Sequence, residues 1–222
     1  MGMRLLRIFI CVLLALAVQA AFSTDREPEE ALYPADGLHY LTTANSLDRS
    51  PRTGRRYGSL AGMRKFASLI KPNAAKLGLD WRLLGAVIFH ESQFDHEALS
   101  GRDAKGLMQV RDVTAVQYGF PTDSLFNPET NIALGALLLG DLIDSFREEG
   151  LDSADVVRFA LASYNVGGGA LAKRREEAAA EGLDPNRWDD VADIFRRTSN
   201  ITPDYILAVE DTYAYYCESF PE

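Results

Sequence analysis

Three short segments carry side chains that could do chemistry: Glu91-Ser92-Gln93-Phe94, Gly106-Leu107-Met108-Gln109 and Ala162-Ser163-Tyr164-Asn165. The first holds a carboxylate. The other two bring uncharged donors and acceptors, with a glycine that lets a ligand approach the backbone. One acid within a ring of neutral polar contacts suits cutting a sugar chain, where a proton must reach the leaving oxygen while hydroxyls and amides are held. Asp80 can cap the run Trp81 to His90, and at about 100° per residue Leu84, Val87, Ile88 and Glu91 share one face of that helix. Partial burial at the end of an apolar stripe disfavours the charged form and raises a carboxyl's pKa, as a general acid near neutral pH requires. From Glu91 alone, an acid at the edge of the core paired with a basic residue is the commoner case.

The elements that must position these groups read as helices. Leu60 to Leu77 forms one helix or two, since Pro72 removes a backbone donor and should bend or split it. The Asp80 helix follows, then a loop from Ser100 to Gly106 and a short helix around Val113 to Tyr118. Glu129 to Arg147 is apolar almost all round, which predicts a helix at the centre of the domain. Further helices are expected at about 153–165, 168–180, 187–197 and 203–219, and no stretch alternates convincingly enough for a strand. The expected fold class is all-α.

At 222 residues the chain holds one domain with a real core. The start is positive, Ile8 to Ala17 is apolar, and Val18-Gln19-Ala20 offers small residues for a peptidase, so residues 1–20 read as a secretory signal. The apolar run to Phe22 falls short of the ~20 residues that span a bilayer, and Cys11 lacks the small neighbour of a lipidated cysteine. Export without a lipid anchor, to the periplasm or cell envelope, is the expectation. Cleavage would remove Arg4, Arg7 and Cys11, taking the formal charge from −9 to −11 and leaving Cys217 alone, with no internal disulfide. That charge argues against nucleic acid or anionic membranes as partners and is indifferent to a neutral glycan. Residues 21–58, with Glu27-Pro28-Glu29-Glu30 and a basic run from Arg52 to Arg56, read as a tether, and 59–222 as the folded domain.

In order and spacing the motifs resemble the soluble lytic transglycosylase domain, in the glycoside hydrolase family that includes goose-type lysozymes. The match spans roughly residues 60 to 217: Glu-Ser, Ser100 nine residues after the glutamate, Gly-Leu-Met-Gln, Thr114-Ala115, Asn127-Pro128-Glu129-x-Asn131-Ile132-x-x-Gly135 and Ala-Ser-Tyr-Asn. The segments Leu161 to Gly167 and Gly182-Leu183-Asp184-Pro185-Asn186-x-Trp188 look most like the catalytic domain of the membrane-bound lytic murein transglycosylase F group, whose usual amino-terminal solute-binding-like domain has no room in this chain.

The resemblance implies a lysozyme-like helical domain that cleaves the β-1,4 bond between N-acetylmuramic acid and N-acetylglucosamine in peptidoglycan, with no cofactor or metal. One glutamate, Glu91, would protonate the leaving oxygen and then take a proton from the muramoyl 6-hydroxyl as a 1,6-anhydro ring closes. Two-carboxylate glycosidases differ in using a second acid, and Asp95, Glu97, Asp103 and Asp112 are near enough in sequence to leave that open. Carried over by motif, Ser100, Gln109, Tyr164 and Asn165 hold N-acetyl groups and the peptide stem, Ser92 and Met108 join the substrate contacts, and Tyr205 hydrogen-bonds near the acid. Two departures stand out. Asp103 occupies a position where the family often has glycine, and Ile201-Thr202-Pro203-Asp204-Tyr205 keeps the tyrosine spacing but loses the family's glutamate. A zinc-protease reading of His90-Glu91 fails on spacing, because His96 lies six residues on and about 120° away on the helical wheel. A non-catalytic peptidoglycan-binding scaffold and a hydrolase working in the same groove are the remaining alternatives, and any envelope assembly partner is left unspecified.

Overall fold

The computed structural model describes residues 58–198 and 200–221. The expected signal peptide and nearly all of the tether, residues 1–57, lie outside the described residues.

Side-chain caps set the helix starts. Ser59 Oγ accepts from Gly62 N at 3.0 Å ahead of α1 (Leu60–Lys76), and Asp80 Oδ1 from Arg82 N at 2.8 Å ahead of α2 (Trp81–Ser92). After a loop and the short helix α3 (Asp112–Gln117), Asn127 Oδ1 accepts from Thr130 N at 3.1 Å to open α4 (Pro128–Glu148). Asp152 Oδ1 accepts from Ala154 N at 3.0 Å to open α5 (Ser153–Val166). Each such cap satisfies an amide that would otherwise lack a partner, worth about 1 kcal/mol. The chain continues through α6 (Gly168–Ala180), α7 (Trp188–Arg197) and α8 (Thr202–Ser219). The fold is all-α, as the sequence implies.

Three expectations need correction. First, Pro72 does not split α1, which runs unbroken. Pro72 is exposed, so the carbonyl it orphans can meet water, while Asn73 Nδ2 donates to Leu69 O at 2.9 Å beside it. The buried face of Met63, Phe66, Ile70 and Ala74 holds the two halves in line. Second, a two-residue antiparallel ladder exists: β1 (Ala104–Lys105) pairs with β2 (Val110–Arg111), Ala104 opposite Arg111 and Lys105 opposite Val110. Its strands are too short to show alternation. Third, α4 is not the central helix. Leu137, Leu138 and Leu142 are only half-buried, whereas every residue of α2 from Arg82 to Phe89 is buried.

Helix α2 is packed between α1 and α8, while α4 packs on α1 and α5, and α5 reaches α8. The core is thus assembled around the helix that carries Glu91 at its end. At the rear, Ser59 N donates to Tyr216 Oη at 3.0 Å, and Trp81 meets Phe220 edge-on at 5.3 Å, fastening the start of the domain to the end of α8.

Candidate active site

Glu91 sits in the last turn of α2, one turn beyond the fully buried Val87 and Ile88. It opens onto a groove of about 520 Å³ lined by His90, Glu91, Ser92, Gln93, Asp95, Ala98, Leu99 and Gln109. Desolvation pushes the Glu91 carboxyl up to about 7, against the opposing pull of the Tyr205 hydroxyl, which donates to Oε1 at 2.7 Å. Among the described residues no basic side chain forms an ion pair with Glu91, so the structural alternative of a paired acid at the core's edge does not describe it. Burial and the nearby Glu91 charge hold the Tyr205 phenol well above its ordinary pKa, so it remains a donor. The Tyr205 ring stands edge-on to His90 at 6.3 Å, and His90 Nε2 lies 2.8 Å from Thr212 Oγ1 on α8.

Helix α2 stops because the chain turns left-handed twice. Gln93 has φ 54° and Phe94 φ 66°, and Gln93 N still donates to Phe89 O at 2.8 Å. The buried Phe94 ring, stacked on Phe66 at 6.1 Å, pins this turn. Every described non-glycine residue with positive φ is in this region: Gln93, Phe94, Asp103 and Gln109. Such conformations cost free energy and gather where surrounding structure enforces them. Asp103, exposed at φ 59°, occupies a solvated turn of the kind glycine favours, which accounts for its place in the pattern.

A second wall is carried by the Gly106–Gln109 loop, which contributes Gln109 to the groove and is held from three directions. Asn131, fully buried in the first turn of α4, accepts from Met108 N at 2.7 Å through Oδ1 and donates Nδ2 to Lys105 O at 2.9 Å and Leu125 O at 2.7 Å. Tyr164 Oη donates to Met108 O at 2.7 Å, and Ser92 Oγ donates to Leu107 O at 2.8 Å. Gly106 has φ 72°, and a Cβ there would stand 2.4 Å from Leu125 O, so only glycine fits.

The eight candidate residues therefore fall into different places. Glu91, Ser92 and Gln109 line the groove, and Tyr205 reaches in from α8. Gln109 spends Nε2 on Gly106 O at 2.9 Å and Ala98 O at 3.2 Å, leaving its carbonyl oxygen. Tyr164 is tied to the loop, with Glu91 close enough to raise its pKa further beyond what burial does. Ser100 Oγ accepts from Ala104 N at 3.0 Å and Arg102 N at 3.2 Å, closing the preceding turn. Asn165 is exposed, with Oδ1 3.0 Å from Thr202 Oγ1. Met108 does not line the groove. Its side chain is fully buried against Gly135, where a Cβ would come within 2.5 Å of its sulfur.

Asn131 was absent from the sequence-derived candidates. Its signal was present: a lone amide inside the apolar face of α4, which must find partners when buried. Among the described residues no three His, Cys, Asp or Glu side chains gather as a group able to hold a metal ion.

The family model of the transglycosylase SLT domain matches residues 68–185, just over half of the chain. The membrane-bound lytic murein transglycosylase F of Desulfosudis oleivorans is 40% identical over 130 residues, covering 59% of this chain and 28% of that protein. The protein of the same name from Stutzerimonas stutzeri is 38% identical over 135 residues, covering 61% and 27%. The chain thus spans little more than a quarter of the length of these curated relatives. Two solved structures share the fold. Lytic transglycosylase Slt from Pseudomonas aeruginosa, an inactive mutant, superposes with TM-score 0.55 at 22% identity, over 82% of this chain and 27% of that one. The 70 kDa soluble lytic transglycosylase of Escherichia coli gives TM-score 0.57 at 21% identity, over 71% and 25%.

Proposed function

The chain belongs to the transglycosylase SLT domain family, and from that premise we propose that it is a lytic murein transglycosylase. It cleaves the β-1,4 bond between N-acetylmuramic acid and N-acetylglucosamine of peptidoglycan glycan strands and leaves 1,6-anhydro-muramoyl ends. The observation that carries this reading is Glu91, a carboxyl without an ionic partner that is held near pKa 7 and lines an open polar groove, with a permanent donor on one oxygen.

In the first half-reaction the protonated Glu91 gives its proton to the glycosidic oxygen as the C1–O bond breaks. In the second, the muramoyl 6-hydroxyl attacks C1 and its proton goes to the Glu91 carboxylate, so the enzyme returns to its starting state and no water is consumed. A pKa near 7 lets the same group serve as acid and then as base at neutral pH. Tyr205, donating to Oε1, keeps the carboxyl oriented in both states. For substrate contact, Gln109 offers its free carbonyl oxygen, Ser100 its hydroxyl proton and Asn165 its exposed amide, while Ser92 and Tyr164 act on the loop that carries Gln109. The apolar amino-terminal segment is in keeping with work in the cell envelope.

A second reading, hydrolysis in the same groove, is favoured by one observation: Asp95 lines the groove together with Glu91 and could activate water. Mass spectrometry of muropeptides released from purified sacculi separates the two, because anhydro and reducing ends differ by one water. Release of reducing ends only would overturn the transglycosylase mechanism.

A further inference from the structure

The polar residues of the groove are mostly committed to the fold. Ser92 donates to Leu107 O at 2.8 Å, Gln109 spends its amide hydrogens on two carbonyls, Asp95 Oδ1 accepts from Glu97 N at 3.0 Å, and His90 meets Thr212 at 2.8 Å. Gln93 differs. It lines the groove two residues beyond Glu91, it is exposed, and among the described residues its side-chain amide has no hydrogen-bond partner.

Its backbone sharpens the contrast. Gln93 holds φ 54° at the C-terminal cap of α2, where glycine is the ordinary occupant and a long side chain costs free energy. Nothing in the cap requires the amide, since the capping bond to Phe89 O comes from the backbone N–H. Leu99, on the same groove and 60% exposed, adds an apolar surface suited to the C–H face of a pyranose.

We propose that Gln93 is a specificity-determining residue, its side-chain amide reading an N-acetyl or hydroxyl group of the glycan beside the bond that Glu91 attacks. The proposal rests on the groove being a glycan site, as in the preceding reading. An amide supplies both a donor and an acceptor, the pair needed to match an N-acetyl group.

The test uses the full chain, the Gln93→Gly and Gln93→Asn variants, and a soluble β-1,4-linked N-acetylglucosamine tetramer as probe. Dissociation constants from calorimetry and melting temperatures are measured for each, with release of muropeptides from sacculi assayed in parallel. Gln93→Gly is expected to weaken the tetramer about three- to tenfold, the worth of one net hydrogen bond, while the melting temperature holds or rises. Gln93→Asn, which tolerates the left-handed backbone and keeps an amide, is expected to recover part of the affinity. Equal affinities in all three chains, or a wild-type chain that does not bind the tetramer, would overturn the proposal. Gln93-dependent binding by a chain that releases nothing from sacculi would leave the subsite standing and remove the transglycosylase reading. Muropeptide release with Gln93-independent binding would do the reverse.

Discussion

The two walls of the groove are made by opposite means. On the Glu91 side a helix buried on every face delivers a carboxyl that lacks an ionic partner, and the missing solvent sets its chemistry. On the Gly106–Gln109 side nearly every polar group is satisfied internally, by Asn131, Tyr164 and Ser92. One wall keeps a polar group short of partners so that it can react. The other saturates its groups so that the backbone cannot move. Residues that look alike in the sequence, short polar side chains at the ends of apolar runs, thus divide under the proposed function into those placed to meet substrate and those that hold the wall.

The largest effect that would test this division is on Glu91. Glu91→Gln keeps shape and hydrogen bonding but cannot move a proton, and activity is expected to fall by roughly 10²–10⁴ or more, since the proposed mechanism has one group serve both half-reactions. Stability should hold at low pH and exceed wild type as pH rises. The folded pKa of about 7 lies above the ordinary 4.5, so the wild-type contribution is fully present below 4.5 and is lost as pH climbs through 7. Unfolding free energies of the two chains from urea titrations should therefore diverge between those values, by at most about 3 kcal/mol at neutral pH. Near-normal muropeptide release by the variant would end the case for Glu91 as the acid.

Next in size is Asn131→Ala, which strands a buried amide N–H and two carbonyls. A loss of about 3 kcal/mol or more is expected in chemical denaturation. Loss of activity with an unchanged melting curve would instead make Asn131 a substrate contact and erase the contrast between the walls. Tyr164→Phe removes a single bond to Met108 O, so a smaller destabilisation of about 1 kcal/mol is expected, again by denaturation.

The smallest effect is on pH. Tyr205 donates to the Glu91 carboxylate and favours its charged form, so Tyr205→Phe should move the alkaline limb of the activity profile to higher pH. A limb that stays in place would show that Tyr205 does not act on the acid.

The longer helices were legible because their apolar stripes are sustained and half of the eight begin with a capping side chain such as Asp80 or Asn127. The strand pair was not, because two residues carry no period, and it depends on Gly106 accepting a left-handed backbone against Leu125. Glu91 stood out as a candidate at the end of an apolar stripe, but that position alone favours a paired structural acid, and only the joined motifs downstream weigh it toward catalysis. The division of labour among Ser92, Met108, Tyr164 and Asn131 could not be read, because it is decided by partners 15 to 56 residues away in the chain. Pro72 left α1 open as one helix or two, because local propensity does not contain the packing that keeps the helix whole.

The bond from Ser59 N to Tyr216 Oη brings the two ends of the described fold to one place, at the rear of α2 rather than beside the groove. A polypeptide built this way behaves as a cassette: it can be spliced into other chains, or its ends joined and new ones opened elsewhere, with the working face undisturbed. A circular permutant that links the end of α8 to Ser59 through a short glycine-serine bridge, opened at the exposed Gly150, should keep both its melting temperature and its muropeptide release.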